Sequence, residues 1–330
     1  MTSLTLQQIR RERDAGRVRE AARQLIQAAA AGDVDAIVEL AQWRIAGATL
    51  RRDLQAARDL LRRAAAAGDR AAAFLHANFL AAGVGGSDDW AGAVAALGSL
   101  RGAEPRAAAQ LGLLDAMDLD PGGFPNVIPV GEPISDAPFV AACRNFLSAA
   151  ECDYLRARGE PTLQPSVVID PATGKSIPHP IRTSDGTMFG VHDEDPVINA
   201  LNRRIAALSG TRPEQGEPLQ LLRYGVGGEY RAHMDGITAE PNQRVLTVLV
   251  YLSEDYDGGE TCFPRTGLRF RGRKGDALLF RNTGADEQPD PLSLHAGLPV
   301  TRGTKLLATR WIRKSRFVYP PPQPLLPEFG

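Results

Sequence analysis

The sequence predicts an α+β multidomain fold: an array of helical repeats, then a β-sandwich or jelly roll with flanking helices. Three observations carry this. Residues 1–118 are rich in alanine and poor in β-branched side chains, which favours helix. The block AAAAGD occurs at Ala28–Asp33 and again at Ala64–Asp69. Beyond residue 139, short apolar runs alternate with Gly, Pro, Asp and Asn turns, which favours strands.

The first half is an α-solenoid by its period. The two AAAAGD blocks are offset by 36 residues, and the same offset relates Trp43 to Phe79, Ala46-Gly47 to Ala82-Gly83, and Asp53 to Asp89. A period in the mid-thirties, built as helix–turn–helix, suits units that bury their apolar faces only by stacking. The glycines fall where helices should end and the aspartates where the next should be capped. Large residues such as Trp43, facing Ala-rich surfaces, would let helices approach closely. Over residues 17–118 this pattern resembles the Sel-like branch of the tetratricopeptide repeats, with two clear units and a degraded third. The resemblance implies an array that binds a protein partner; a purely structural annex is the alternative. His76 lies on one of these helices and is expected to be a packed or surface side chain.

Residues 119–138 are dense in Pro and Gly and predict an extended linker. A β-rich region, 139–316, and a Pro-rich tail, 317–330, complete the predicted organisation. Within the β-rich region, Ser148 is placed to cap a helix running to Gly159. SVVID, PLQLLRYG, RVLTVLVYLS, GLRFRG, GDALLF and TKLLATRWIR read as strands. DPVINALNRRIAALSG reads as a helix, with Asp195 as cap and Pro196 at the first helical position. The tail, YPPPQPLLPEFG, reads as an extended polyproline-like end or, alternatively, a docking segment.

Composition excludes several functions. Lys and Arg total 38 against 39 Asp and Glu, so no global charge draws the chain to nucleic acid or anionic membrane. The N-terminal stretch has no apolar h-region, and no apolar run approaches the roughly 20 residues of a membrane span. The cysteines Cys143, Cys152 and Cys262 lack metal-type spacing; as reduced thiols they suggest a cytoplasmic location.

The chemistry concentrates at EYRAHMDGI. On a strand, residues i and i+2 share a face, so His233 and Asp235 would aim an imidazole and a carboxylate at one point while Met234 turns away. Two ligands hold a metal poorly. A 2-His-1-carboxylate face with open positions suits non-haem Fe(II) that activates O₂. Of the five histidines, His76 lies in the repeats, His179 in a Pro-Gly loop and His192 just before a helix. His295 precedes a strand pattern, and a jelly roll makes distant strands neighbours, so His295 is the natural third ligand. Ten residues on, Lys305 interrupts an otherwise apolar strand. A buried cation there needs an anion, which a dicarboxylate cosubstrate would supply; a solvated edge-strand lysine is the alternative.

LQLLRYGVGGEYRAHMDGI, QRVLTVLVYLSEDYDGGETCFP and HAGLPVTRGTKLLATRWIR resemble the catalytic domain of prolyl 4-hydroxylases, which are Fe(II)- and 2-oxoglutarate-dependent dioxygenases. GKSIPHPIRTSDGTMF resembles that family's flexible substrate-covering loop and its Arg-Thr-Ser strand, so the likeness spans residues 139–316. It implies a double-stranded β-helix, with His233, Asp235 and His295 as iron ligands and Lys305 pairing with the distal carboxylate of 2-oxoglutarate. Tyr224 and Thr261 match cosubstrate-binding positions. Arg182, Tyr230, Arg244 and Trp311 match positions of the substrate groove; Tyr224 and Trp311 could equally be core aromatics, and the two arginines structural ion pairs.

The resemblance implies oxidative decarboxylation to succinate and CO₂ with hydroxylation of an unactivated C–H, O₂ as cosubstrate and ascorbate as accessory reductant. The loop near Gly174–Pro180 would be a lid. The carboxylate at position 235 argues against halogenation. Two departures, a short connection from Asp235 to Gln243 and a displaced aromatic after Thr183-Ser184, touch the groove rim and leave the substrate open. Three functions follow: a hydroxylase of prolyl residues in a protein or peptide, recruited by the repeats; a hydroxylase of a free amino acid or other small molecule; or a repeat-based adaptor with an inactive oxygenase domain.

Overall fold

The computed structural model describes residues 4–169, 176–178, 180–319 and 323–326. They divide into two compact units, one of Met1–Gly123, Val191–Asn199 and Val318–Gly330, the other of Phe124–Gly190 and Ala200–Phe317.

The first unit is built from α1 (Leu4–Asp14), α2 (Val18–Ala30), α3 (Val34–Ala46), α4 (Leu54–Ala66), α5 (Arg70–Ala82), α6 (Trp90–Leu100) and α7 (Pro105–Asp115). The predicted period is present: α2 and α4, α3 and α5, and α4 and α6 each begin 36 residues apart. The reason is local. The carboxylates of Asp33, Asp53, Asp69 and Asp89 accept from the backbone N–H three residues on, at 3.0, 2.9, 2.7 and 2.8 Å, each satisfying an orphan donor at a helix start. Gly47 ends α3 at φ 72°, and a Cβ there would stand 2.8 Å from that of Arg52. Alanines let the helices close on Leu25, Trp43, Leu61 and Phe79, all buried. Each such large side chain contributes about 1.5–3 kcal/mol by leaving water. His76 lies on α5, partly buried, with its pKa lowered by that burial.

The tail is not a free end. Leu325 and Leu326 donate their N–H groups to the carbonyls of Ala48 and Thr49, at 2.8 and 2.9 Å, and Leu326 is buried in the helical core. Residues 320–322 and 327–330 of the predicted polyproline segment lie outside the described residues.

The second unit holds β1 (Glu132–Asp136), β2 (Phe139–Cys143), α8 (Ala149–Gly159), β3 (Gln164–Pro165), β4 (Val167–Ile169), β5 (Ser176–Pro178) and β6 (Asp185–Met188). The helix α9 (Pro196–Ser209) follows. The remaining strands are β7 (Gln220–Tyr224), β8 (Tyr230–His233), β9 (Arg244–Tyr251), β10 (Tyr256–Gly258), β11 (Thr261–Phe263), β12 (Leu268–Phe270), β13 (Ala277–Arg281), β14 (His295–Gly297), β15 (Val300–Gly303) and β16 (Lys305–Arg313). An eight-stranded sheet, ordered β1-β2-β13-β9-β16-β7-β6-β3, and a four-stranded sheet, β12-β11-β14-β8, are the faces of the jelly roll. Val140, Tyr251, Leu278 and Leu307 of the large sheet meet Phe263 and Phe270 of the small one in a common core.

Both predicted caps form. Ser148 and Glu151 make a reciprocal capping box on α8, and Asp195 Oδ1 accepts from Ile198 N–H at α9. One prediction is corrected. The stretch 119–138 is not all linker, because β1 pairs with β2 at the sheet edge. Pro133 is tolerated there because an edge strand leaves one side of its ladder unpaired.

Candidate active site

His233 ends β8 and His295 begins β14, and the two face each other directly in the β8–β14 register. Asp235 does not lie on the strand, as alternation predicted, but in the bend just past it. Gly236 allows that bend: a Cβ there would press within 3.1 Å of Pro289 and 3.3 Å of the Asn282 carbonyl. Gln243 closes the short connection, accepting from Ile237 N–H at 2.8 Å and donating to Ile237 O at 2.6 Å. Met234 is exposed, as expected.

The donor atoms of His233, Asp235 and His295 lie within 4.8 Å of one another. Tautomers follow from simple chemistry. His233 Nδ1 faces the Arg231 carbonyl at 2.9 Å and His295 Nδ1 the Ser293 carbonyl at 3.0 Å. A carbonyl only accepts, so both Nδ1 atoms carry protons, and each Nε2 is left as the nitrogen that can bind a metal. These Nε2 atoms stand 3.5 and 3.6 Å from the Asp235 carboxylate. Burial works to raise the Asp235 pKa, but His295, His233 and a hydrogen bond from Thr247 outweigh it and hold the carboxyl well below its usual range. Burial lowers the pKa of His295, with Asp235 opposing. Two imidazole nitrogens and one carboxylate make a donor set that fits a divalent iron.

The three line one cleft. Lys305, on β16 opposite Tyr224 of β7, lines it too. It is buried, and its Nζ donates to the Gly259 carbonyl at 2.7 Å. Among the described residues no carboxylate pairs with it. Burial pushes its pKa down to about 8, with Glu260 opposing. Its Nζ lies 5.6 Å from the ring centroids of both Tyr224 and Tyr251. An ammonium has three donors, so a ligand carboxylate in the cleft meets unspent hydrogen-bonding capacity.

Tyr224 and Thr261 are buried in the cleft wall. The Tyr230 ring stacks on His233, with centroids 3.5 Å apart. Arg182 lies 5.4 Å from the Tyr230 centroid, and its buried Nε has no hydrogen-bond partner among the described residues. Trp311 also lines the cleft. Arg244 does not. Its guanidinium grips Glu217 with bonds of 2.6 and 3.0 Å and covers the Trp311 ring at 3.8 Å. It therefore stands behind the cleft, against the Trp311 ring that lines it, and makes the ion pair that was its structural alternative. An arginine's partner is decided by whichever carboxylate folding brings near, which the strand pattern does not reveal.

Of the other histidines, His192 bonds Gln42 at 2.9 Å in the helical unit. His179, with Gly174 and Lys175 of the predicted lid, lies outside the described residues; Ser176–Pro178 pair with Val167–Ile169 as a hairpin.

Sequence reasoning missed Thr247, Tyr251 and Asn282. Thr247 Oγ1 donates to Asp235 Oδ2 at 2.7 Å, Asn282 Nδ2 donates to Thr247 Oγ1 at 2.9 Å, and Tyr251 shares a 2.7 Å hydrogen bond with Thr261. The available signal was a hydroxyl inside the apolar run RVLTVLVYLS, with Thr247, Leu249 and Tyr251 on one face by alternation.

The sequence profile of the 2OG-Fe(II) oxygenase superfamily matches residues 219–313, which contain the whole triad and Lys305. Prolyl 4-hydroxylase 1 of Arabidopsis thaliana is 40% identical over 203 residues, covering 56% of this chain and 71% of that protein. The chain belongs to the prolyl 4-hydroxylase family. It is a 2-oxoglutarate-dependent dioxygenase, using Fe(II), 2-oxoglutarate and O₂. Prolyl 4-hydroxylase 5 of the same plant is 38% identical over 210 residues, covering 56% of this chain and 72% of that protein. The viral collagen prolyl hydroxylase of Paramecium Bursaria Chlorella virus-1, solved with 2OG, matches 55% of this chain and 99% of its own at 28% identity and a TM-score of 0.44. A Sel1 repeat protein of Oxalobacter formigenes matches 33% of this chain and 85% of its own, at 23% identity and a TM-score of 0.30. In this prolyl 4-hydroxylase family member, the residues matched by the profile lie in the β-rich unit. No helix among the described residues is long and apolar enough to cross a membrane.

Proposed function

We propose that the enzyme hydroxylates a prolyl residue in a protein or peptide, with His233, Asp235 and His295 holding iron and Lys305 receiving the distal carboxylate of 2-oxoglutarate. The observation that carries this is the meeting, in one cleft, of a preformed His-Asp-His donor set with a buried ammonium that no carboxylate among the described residues neutralises. Relatives named prolyl 4-hydroxylases support the choice of substrate.

Iron, when bound, supplies the O₂ chemistry that decarboxylates 2-oxoglutarate and oxidises an unactivated C–H bond. The chain's own residues do the rest. The Arg231 and Ser293 carbonyls hold both imidazoles in the ligating tautomer. Lys305 anchors one end of the cosubstrate, with Tyr224 and Thr261 beside it, so its reacting end is oriented by a fixed charge. Tyr230, Arg182 and Trp311 shape the walls that the substrate would meet. Apolar Leu222, Leu249 and Leu307 in the lining limit water. The helical repeats recruit the target protein.

The test is anaerobic loading with Fe(II) and 2-oxoglutarate, then O₂ with proline-containing peptides or free L-proline. Succinate release coupled to a peptide mass gain of one oxygen atom is expected. Turnover with free L-proline and none with peptides would sink the peptide reading. No iron-dependent decarboxylation under any condition would favour the adaptor.

A further inference from the structure

Asn282 lies just past β13, fully buried, and touches the supports of two of the three metal-binding side chains. Its side chain reaches Asp235 through Thr247. The carboxylate can only accept, so the Thr247 hydroxyl, 2.7 Å away, must give its proton to Asp235 Oδ2. Thr247 Oγ1 can then only accept from Asn282, which must present its amide N–H₂, at 2.9 Å. The direction of the whole relay is set by its acidic end. The backbone of Asn282 supports His295. Its carbonyl accepts from Asp290 N–H at 2.9 Å and lies 3.4 Å from Ser293 Oγ, and the Ser293 carbonyl orients the His295 imidazole. The same carbonyl abuts Gly236, next to Asp235.

A second observation separates this from ordinary packing. Asn282 Oδ1 is buried without a hydrogen-bond partner among the described residues. An apolar side chain of similar size would avoid that desolvation cost, so the asparagine is justified by its Nδ2 rather than by fold stability.

We infer that Asn282 and Thr247 form a positioning relay that fixes the Asp235 carboxylate in one orientation for the metal, and that Asn282 couples this to the placement of His295. The inference rests on the metal reading above. Neither residue touches substrate; both act through Asp235.

The test is anaerobic Co(II) titration of the full-length chain with 2-oxoglutarate, followed by electronic absorption. Thr247→Val, which keeps shape and removes the hydroxyl, should weaken Co(II) binding about ten- to a hundredfold and shift the absorption bands. Thr247→Ser should restore both affinity and spectrum. Asn282→Ala should also weaken binding, and the Thr247→Val/Asn282→Ala double variant should be no weaker than Thr247→Val alone, since the two act in series. Should Thr247→Val fail to fold, Asn282→Ala against wild type carries the comparison. A Thr247→Val or Asn282→Ala chain with wild-type affinity and spectrum would overturn the relay alone. A wild-type chain that binds no Co(II) would overturn the metal reading beneath it.

Discussion

The imidazoles of His233 and His295 stand 4.3 Å apart, although the first closes one strand and the second opens another far along the chain. The β8–β14 register sets them opposite each other, and Asp235 enters from the bend between β8 and β9. Two strands of the small sheet thus present the nitrogen donors, while the large sheet presents Lys305 and the hydroxyl of Thr247.

Lys305→Ala should raise the KM for 2-oxoglutarate far more than the KM for the second substrate. Removing one partner of a desolvated charge pair costs roughly 2–5 kcal/mol, which is a KM increase of about thirtyfold or more. Steady-state kinetics with each substrate varied in turn checks it. Equal changes in both values would contradict an anchoring role.

The affinity for 2-oxoglutarate should fall at alkaline pH. Burial sets the Lys305 pKa at about 8, below its ordinary value, and only the protonated form attracts the carboxylate. Below pH 7 the ammonium is fully charged and affinity is flat. As pH rises through 8 the charge is lost, and the apparent Kd should increase about tenfold per pH unit. Calorimetric titration across this range, with Lys305→Ala as the pH-insensitive control, measures it.

Glu217 is nearly buried and bonds Arg244 and Arg313, each at 2.6 Å. Glu217→Gln should destabilise the fold by roughly 3 kcal/mol, because it leaves two guanidinium groups under-compensated. It should also loosen Trp311, which Arg244 covers. Denaturant unfolding and tryptophan fluorescence read the two effects, and the KM for 2-oxoglutarate should hardly move.

In the helical unit, Asp53→Ala should cost about 1 kcal/mol by removing the α4 cap. Gly47→Ala should cost more than the cap, about 1–3 kcal/mol, since its backbone is left-handed at φ 72° and the new methyl would crowd Arg52. Urea unfolding of each single variant ranks them.

Much of this was legible from residue order. Helix starts, helix ends and the repeat period are local matters: an aspartate three residues before a free N–H, or a glycine at a left-handed turn, acts within one turn of chain. His233, Asp235, His295 and Lys305 were legible because each is a chemically demanding side chain in a run whose pattern explains its neighbours but not it.

The sequence by itself therefore determined the repeat architecture, the β-rich class, the oxygenase family and the three side chains whose donor atoms converge, His233, Asp235 and His295. The tertiary structure alone decided what surrounds them. Asp235 leaves the strand because Gly236 can press against Asn282 and Pro289. Arg244 turns to Glu217 rather than to the cleft. Asn282 becomes a junction because β9, β13 and the approach to β14 converge on it. The reason is range. Caps and turns are settled between residues a few positions apart, whereas the partner of a buried polar group is settled by strand pairing across long stretches of chain, and no local pattern records it.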